Sequence, residues 1–175
     1  GKGKTIQEAY RKIKLQSSRF LYPNHLQLLI INENLAKEDI TKIIDYYLRI
    51  PHVRTEFNII IGKNENILNI TTPIDDVSST SIVDTMETNN KYLGTTNLIT
   101  FNEFVNMSID KNLEIVLPSV EAIDYNEKSE TTENTEKTKI KSMYKLSNLA
   151  VFKDGKLQGY LTEDESITYN VIKKK

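Results

Sequence analysis

The chain has 175 residues, 38% hydrophobic and 27% charged, with 23 basic against 24 acidic side chains for a net charge of −1. That length supports one well-buried core, or a core plus a small module, and the near-neutral balance gives no global pull towards nucleic acid or anionic lipid. Cysteine is absent, which excludes disulfides, thiolate metal sites and a thiol nucleophile. The only histidines are His25 and His52, so a zinc site would need carboxylates brought from elsewhere. Apolar runs such as residues 28–31 fall far short of the roughly 20 residues that cross a bilayer. Gly1-Lys2-Gly3-Lys4 and Lys173-Lys174-Lys175 read as the cut ends of a longer protein.

Thr5 and Glu8 form a Thr-x-x-Glu capping pattern, and Ile6, Ala9, Tyr10 and Ile13 follow on one helical stripe. Residues 26–31 are apolar on both faces and predict a central strand. Ile40, Ile43, Ile44, Tyr47 and Leu48 mark a second helix, which Pro51 ends. Residues 57–61 predict a strand ending at Gly62, parallel to the first across a βαβ crossover. Two further helices are expected at 81–89 and 101–109, the second capped by Thr100 and Glu103. Leu113, Ile115 and Leu117 then alternate as a strand interrupted by Pro118, a placement that suits a sheet edge or strand end, with resumption through 120–125. Residues 126–139 hold no aromatic or aliphatic side chain and predict a disordered polar loop. A hairpin follows, 149–152 and 157–161 around Asp154-Gly155. A two-residue loop there pairs Phe152 with Leu157, Val151 with Gln158 and Leu149 with Tyr160. The pattern is that of an α+β fold, a mixed β-sheet flanked by helices with a C-terminal β-hairpin. Residues 1–125 form the α+β domain, a fragment lacking upstream strands. Residues 126–139 are the flexible loop, and 140–175 the hairpin region, which joins the same sheet or opens a second module.

Gly3-Lys4-Thr5 matches the tail of a phosphate-binding loop, the basis for a nucleotide-binding enzyme. The magnesium-binding aspartate expected at a strand end is missing, because Ile31 leads into Asn32 and Ile61 into Gly62, and Thr5 is better used as a cap. Asp75-Asp76 and Glu163-Asp164-Glu165 lack the spaced ligands of a calcium loop and read as solvated turns. His25 reads as a strand-edge residue and His52 as a loop residue. Arg49 and Arg54 flank Pro51; a surface contact or an ion pair with Asp45 is the plain reading, and partner docking or a lipid-headgroup role for Arg49 and Arg54 the sharper one.

Several stretches, in order, resemble the Ger(x)C family of spore germination lipoproteins. They are Gly3-Lys4-Thr5-Ile6-Gln7-Glu8-Ala9, then Leu21-Tyr22 with His25-Leu26, and Ile30-Ile31 with Glu33, Leu35 and Ala36. Asp45, Leu48-Arg49, Pro51 and Arg54 follow, then Val116-Leu117-Pro118 with Glu121. Leu146-Ser147, Ala150-Val151-Phe152-Lys153, Lys156-Leu157 and Gly159-Tyr160-Leu161 complete the set. Departures fall at Pro23-Asn24, Ile50 and Asn148, the last where a glycine is usual.

The resemblance implies the non-enzymatic C subunit of a nutrient germinant receptor on the outer face of the spore inner membrane. An upstream leader and a lipid-bearing cysteine would precede Gly1, and a further domain would follow Lys175. It implies integral-membrane partner subunits of the same receptor, no nucleic acid, no cofactor, no metal and no catalytic residues. An interaction scaffold is therefore the leading reading, and a small-molecule (germinant) binding module the rival.

Overall fold

The structure, a computed structural model, describes residues 3–16, 25–50, 53–64, 67, 78–110, 113–124 and 142–173. The anticipated loop 126–139, Asp75-Asp76, Pro51 and His52 lie outside these residues. In chain order the elements are α1 (Ile6–Gln16), β1 (Leu28–Asn32), α2 (Glu33–Ala36), α3 (Lys42–Arg49), β2 (Asn58–Gly62) and α4 (Ser78–Tyr92). They continue with α5 (Phe101–Ile109), β3 (Val116–Asp124), β4 (Ser142–Lys153), β5 (Lys156–Tyr160) and α6 (Glu163–Lys173).

The strands form one mixed sheet in the order β1-β2-β3-β4-β5, so β1, expected as a central strand, is instead an edge strand paired with β2. β1, β2 and β3 are parallel, with Leu28 opposite Asn58 and Ile61 opposite Ser119. β4 and β5 complete the sheet antiparallel. The βαβ crossover read from the sequence is present, and β2 is apolar on both faces because helices cover both. On one face Ile59, Ile61 and Leu117 meet Ala36, Ile40, Ile43, Phe101 and Phe104. On the other, Ile60 and Val120 meet Ile82 and Met86 of α4. Tyr47, placed on a core stripe by its spacing, packs against Phe57 and Phe101 at centroid distances of 5.3 and 5.7 Å. Phe57 and Phe101 stack at 4.9 Å. Such pairs contribute about 0.5–1.5 kcal/mol each beyond area burial.

Three further expectations are corrected. Pro118 lies inside β3, the middle strand, rather than at an edge or a strand end. The ladder with β2 begins only at Ser119, and the ladder with β4 is interrupted there, Leu117 facing Ala150 but Ser119 facing Ser147. Proline therefore gives up no ladder hydrogen bond at this position. The extra residue lies on β4, a bulge at Asn148 and Leu149. Its backbone is closed by side chains: the Ser119 hydroxyl donates to the Asn148 carbonyl, and the Leu149 N–H donates to Ser166 Oγ at 3.3 Å.

The hairpin turn is as read, with Asp154 and Gly155 at φ 51 and 74, and Phe152 pairs Leu157. Beyond that the pairing differs. A register shift at Gln158 sets Val151 opposite Gly159 and Ala150 opposite Tyr160, not Leu149 opposite Tyr160. Tyr160 thereby joins the layer of Phe152 and Leu157.

The third correction is α6. Glu163-Asp164-Glu165 is not a solvated turn but the first turn of a helix, where negative charge suits the macrodipole. Thr162 and Glu165 form a reciprocal capping box, at 3.3 Å from the Glu165 N–H to Thr162 Oγ1 and 2.8 Å from the Thr162 N–H to Glu165 Oε2. The same box at Thr100 and Glu103 opens α5 as expected. Asn170 anchors the far end of α6, donating to the carbonyls of Gly94 and Thr96 at 2.7 and 2.9 Å.

Three substitutions test this frame by urea denaturation of the 175-residue chain. Ser166→Ala strands the Leu149 amide and is expected to lower stability by about 1–2 kcal/mol with an unchanged m-value. An unmoved midpoint would show that α6 does not close the bulge. Gly155→Ala should cost more than Gly94→Ala by about 1 kcal/mol. Both glycines sit at positive φ, but a Cβ at 155 meets Asp39 Oδ1 at 2.8 Å and one at 94 meets nothing within 4 Å. Equal losses would remove the crowding argument.

Candidate functional site

The two ends of the parallel strands differ. In open α/β sheets ligands usually settle outside the carboxyl ends of the strands. Here that end is built over. α2 starts directly from β1, with Asn32 accepting from the Asn34 N–H, and Glu33 pairs with Lys37 at 2.5 Å. Lys63, just beyond β2, donates from Nζ to Ser147 Oγ at 2.5 Å and lies 4.1 Å from the Tyr160 ring centroid. Among the described residues the enclosed Tyr160 hydroxyl has no partner at ordinary hydrogen-bond geometry, and the Glu33 carboxylate lies close enough to act on it. Burial first, then the Glu33 charge, pushes the Tyr160 pKa well up.

The amino ends of β1 and β2 instead open into a cleft of about 350 Å³. Three segments line it. His25, Leu26 and Gln27 lead into β1, Arg54, Glu56, Phe57 and Asn58 lead into β2, and Thr80, Val83 and Asp84 come from α4. The backbone holds these segments together: the Asn58 N–H donates to the Gln27 carbonyl at 2.9 Å, and the Phe101 and Asn102 amides donate to Phe57 and Thr55. Thr80 Oγ1 donates to Gln27 Oε1 at 3.1 Å, tying α4 to the entry of β1. Phe57 is buried beneath, whereas Arg54, Glu56 and Asp84 are exposed. Chemically the lining presents charge of both signs over an apolar floor.

The sequence-derived residues separate. Arg54 joins the cleft, and His25, read as a strand-edge residue, joins it too. Arg49 is not part of the lining; it ends α3 and pairs with Asp45 at 2.7 Å with both side chains largely in water, as the plain reading had it. A pair so exposed contributes little, about 0–1 kcal/mol. Glu56 and Asp84 were not singled out by sequence, since no local spacing links residues 54–58 to 80–84. Gly3-Lys4-Thr5 is a helix start. Thr5 Oγ1 accepts from the Glu8 N–H, and the Glu8 carboxylate takes the Lys4 N–H and pairs with Lys12. Lys12 first, then the Lys4 amide, holds the Glu8 pKa below its ordinary value. A carboxylate thus occupies the amide that a phosphate would need.

The chain belongs to the Ger(x)C family of spore germination proteins, for residues 1–122 match the model of the spore germination protein N-terminal domain. It is 33% identical over 170 residues to Spore germination protein KC of Bacillus subtilis (strain 168), an alignment covering 94% of this chain and 42% of that relative. Among solved structures it is similar to the GerBC protein, with a TM-score of 0.51 at 16% identity, covering 90% of this chain and 40% of that one. That likeness supports the α+β fold. The chain spans about two fifths of the length of both relatives.

The half-buried tyrosines Tyr47 and Tyr160 give a measurable pH signature. Burial first, then Tyr46 and Tyr10, pushes the Tyr47 pKa to about 12. An unfolded tyrosine ionises near 10, so the folded state holds its proton longer. The associated stability is whole below about pH 10 and lost as pH rises through the folded value. In a spectrophotometric alkaline titration, Tyr47→Phe and Tyr160→Phe should each remove a late-ionising phenol. Loss of an ordinary, early-ionising one instead would contradict the burial assigned to that ring.

Proposed function

We propose that this domain serves, in its full-length protein, as a non-catalytic interaction scaffold within a spore germinant receptor and is required for nutrient-triggered germination. The observation that carries the reading is 33% identity to Spore germination protein KC across 94% of the chain, together with the family match over residues 1–122. The full-length protein would be held by a lipid anchor on the outer face of the spore inner membrane, with the integral-membrane subunits of the same receptor as its partners. Tethering raises the effective concentration of those partners, so a modest docking surface suffices.

The docking surface we assign is the corner between α3 and β2, where Arg49 and Arg54 present exposed guanidinium groups. Guanidinium groups suit planar carboxylate or phosphate partners. Arg49 already holds Asp45 only weakly, so an incoming acidic group can displace that pair at little cost. The chemistry gathered in the cleft, charge of both signs over an apolar floor, favours holding a partner or ligand over transforming it.

The test is the double charge reversal Arg49→Glu with Arg54→Glu in the full-length protein in spores. Recovery of the membrane subunits with the purified protein should fall by about tenfold, and nutrient-triggered germination should slow accordingly. Circular dichroism of the variant 175-residue chain should be unchanged, because both side chains are exposed. Undiminished recovery of the membrane subunits would remove this corner as the docking surface.

A further inference from the structure

We propose that the cleft at the amino ends of β1 and β2 binds a small zwitterion, an α-amino acid with an apolar side chain. Its lining brings the Arg54 guanidinium, on the segment entering β2, together with the carboxylates of Glu56 on that segment and Asp84 on α4. Among the described residues none of the three pairs with another: the ion pairs join Glu8 to Lys12, Glu33 to Lys37 and Asp45 to Arg49. Opposite charges therefore line one space without neutralising each other. A ligand carrying both charges close together satisfies both, its carboxylate on Arg54 and its ammonium on Glu56 or Asp84.

The other dimensions agree. A volume of about 350 Å³ lies at the small end of the range for ligand clefts. Leu26 and Val83, over the buried ring of Phe57, supply an apolar surface for a side chain, and the side-chain amides of Gln27 and Asn58 add neutral polar partners. The charged groups are exposed, so each contact is worth only a few-fold in affinity and the complex should dissociate on the order of millimolar. The inference does not rest on the docking role. Arg54 is common to both, but the cleft needs Asp84 and not Arg49, and the test uses no partner protein.

L-leucine is titrated into the isotope-labelled 175-residue chain and followed by amide chemical shifts. The expected result is a saturable shift of Gln27, Asn58 and the α4 amides about Asp84. N-acetyl-L-leucine, which lacks the ammonium, and L-leucinamide, which lacks the carboxylate, should each bind about fivefold more weakly, the worth of one exposed ion pair. Arg54→Gln should weaken L-leucine by a similar factor and make it indistinguishable from L-leucinamide. Asp84→Asn with Glu56→Gln should do the same relative to N-acetyl-L-leucine, while Arg49→Gln changes nothing. No saturable shift, shifts outside the cleft, or equal binding of all three ligands would overturn the proposal.

Discussion

Pro118 has no amide hydrogen, yet it stands in the middle strand of the sheet, and the arrangement of β4 and α6 follows from how that vacancy is handled. A proline there is tolerated only where neither neighbouring strand asks for a donor. β2 meets β3 from Ser119 onward, and β4 inserts one extra residue at the same level. The insertion exposes two backbone groups of its own, the carbonyl of Asn148 and the N–H of Leu149. A buried amide without a partner costs about 1–3 kcal/mol, enough to matter against the total stability of a domain. Ser119 takes the first and Ser166 the second. The helix after the hairpin is therefore tied to the sheet by a side-chain hydroxyl at the point where the ladder breaks. The φ of Asn148 is not positive, so the bulge does not require a glycine there.

The same geometry decides where the molecule is open. At the carboxyl ends of β1 and β2 the shift at Gln158 turns Tyr160 into the helical layer, where Lys63 lies against its ring and α2 covers the remainder. That end is closed by packing. At the amino ends the segments before β1 and β2 lie beside the first half of α4 and leave a cleft. Among the described residues the cleft therefore lies at the rim opposite to the usual ligand crevice of a parallel sheet.

What the sequence discloses follows the range of the interactions involved. Thr-x-x-Glu placed α1 and α5 because a capping box is complete within four residues. The same signal stands at Thr162 and Glu165, but the acidic run after it reads equally well as a solvated turn, so α6 is missed. Asp154-Gly155 fixed the turn and its first pairs. The shift at Gln158 and the length of β4 back to Ser142 depend on residues far away in sequence. Arg54 was legible as an exposed cation beside a proline. Its neighbours in the cleft were not, since Glu56 and Asp84 become neighbours only through the crossover of the sheet and the placement of α4. The family, by contrast, was legible from short ordered matches along the whole chain.

β4 passes from one layer to the other along its length. Before the bulge Tyr144 and Leu146 pack with α4, the Tyr144 hydroxyl meeting Ser81 and Thr85 at 2.8 Å. After it Ala150 and Phe152 belong with α2, α3 and α5. β4 thus contributes to both cores, as β2 and β3 do, but with one half of its length given to each. Substitutions on β4 therefore bear on different layers of the molecule according to the side of the bulge on which they fall, Tyr144 and Leu146 on the layer of α4 and Ala150 and Phe152 on that of α3 and α5.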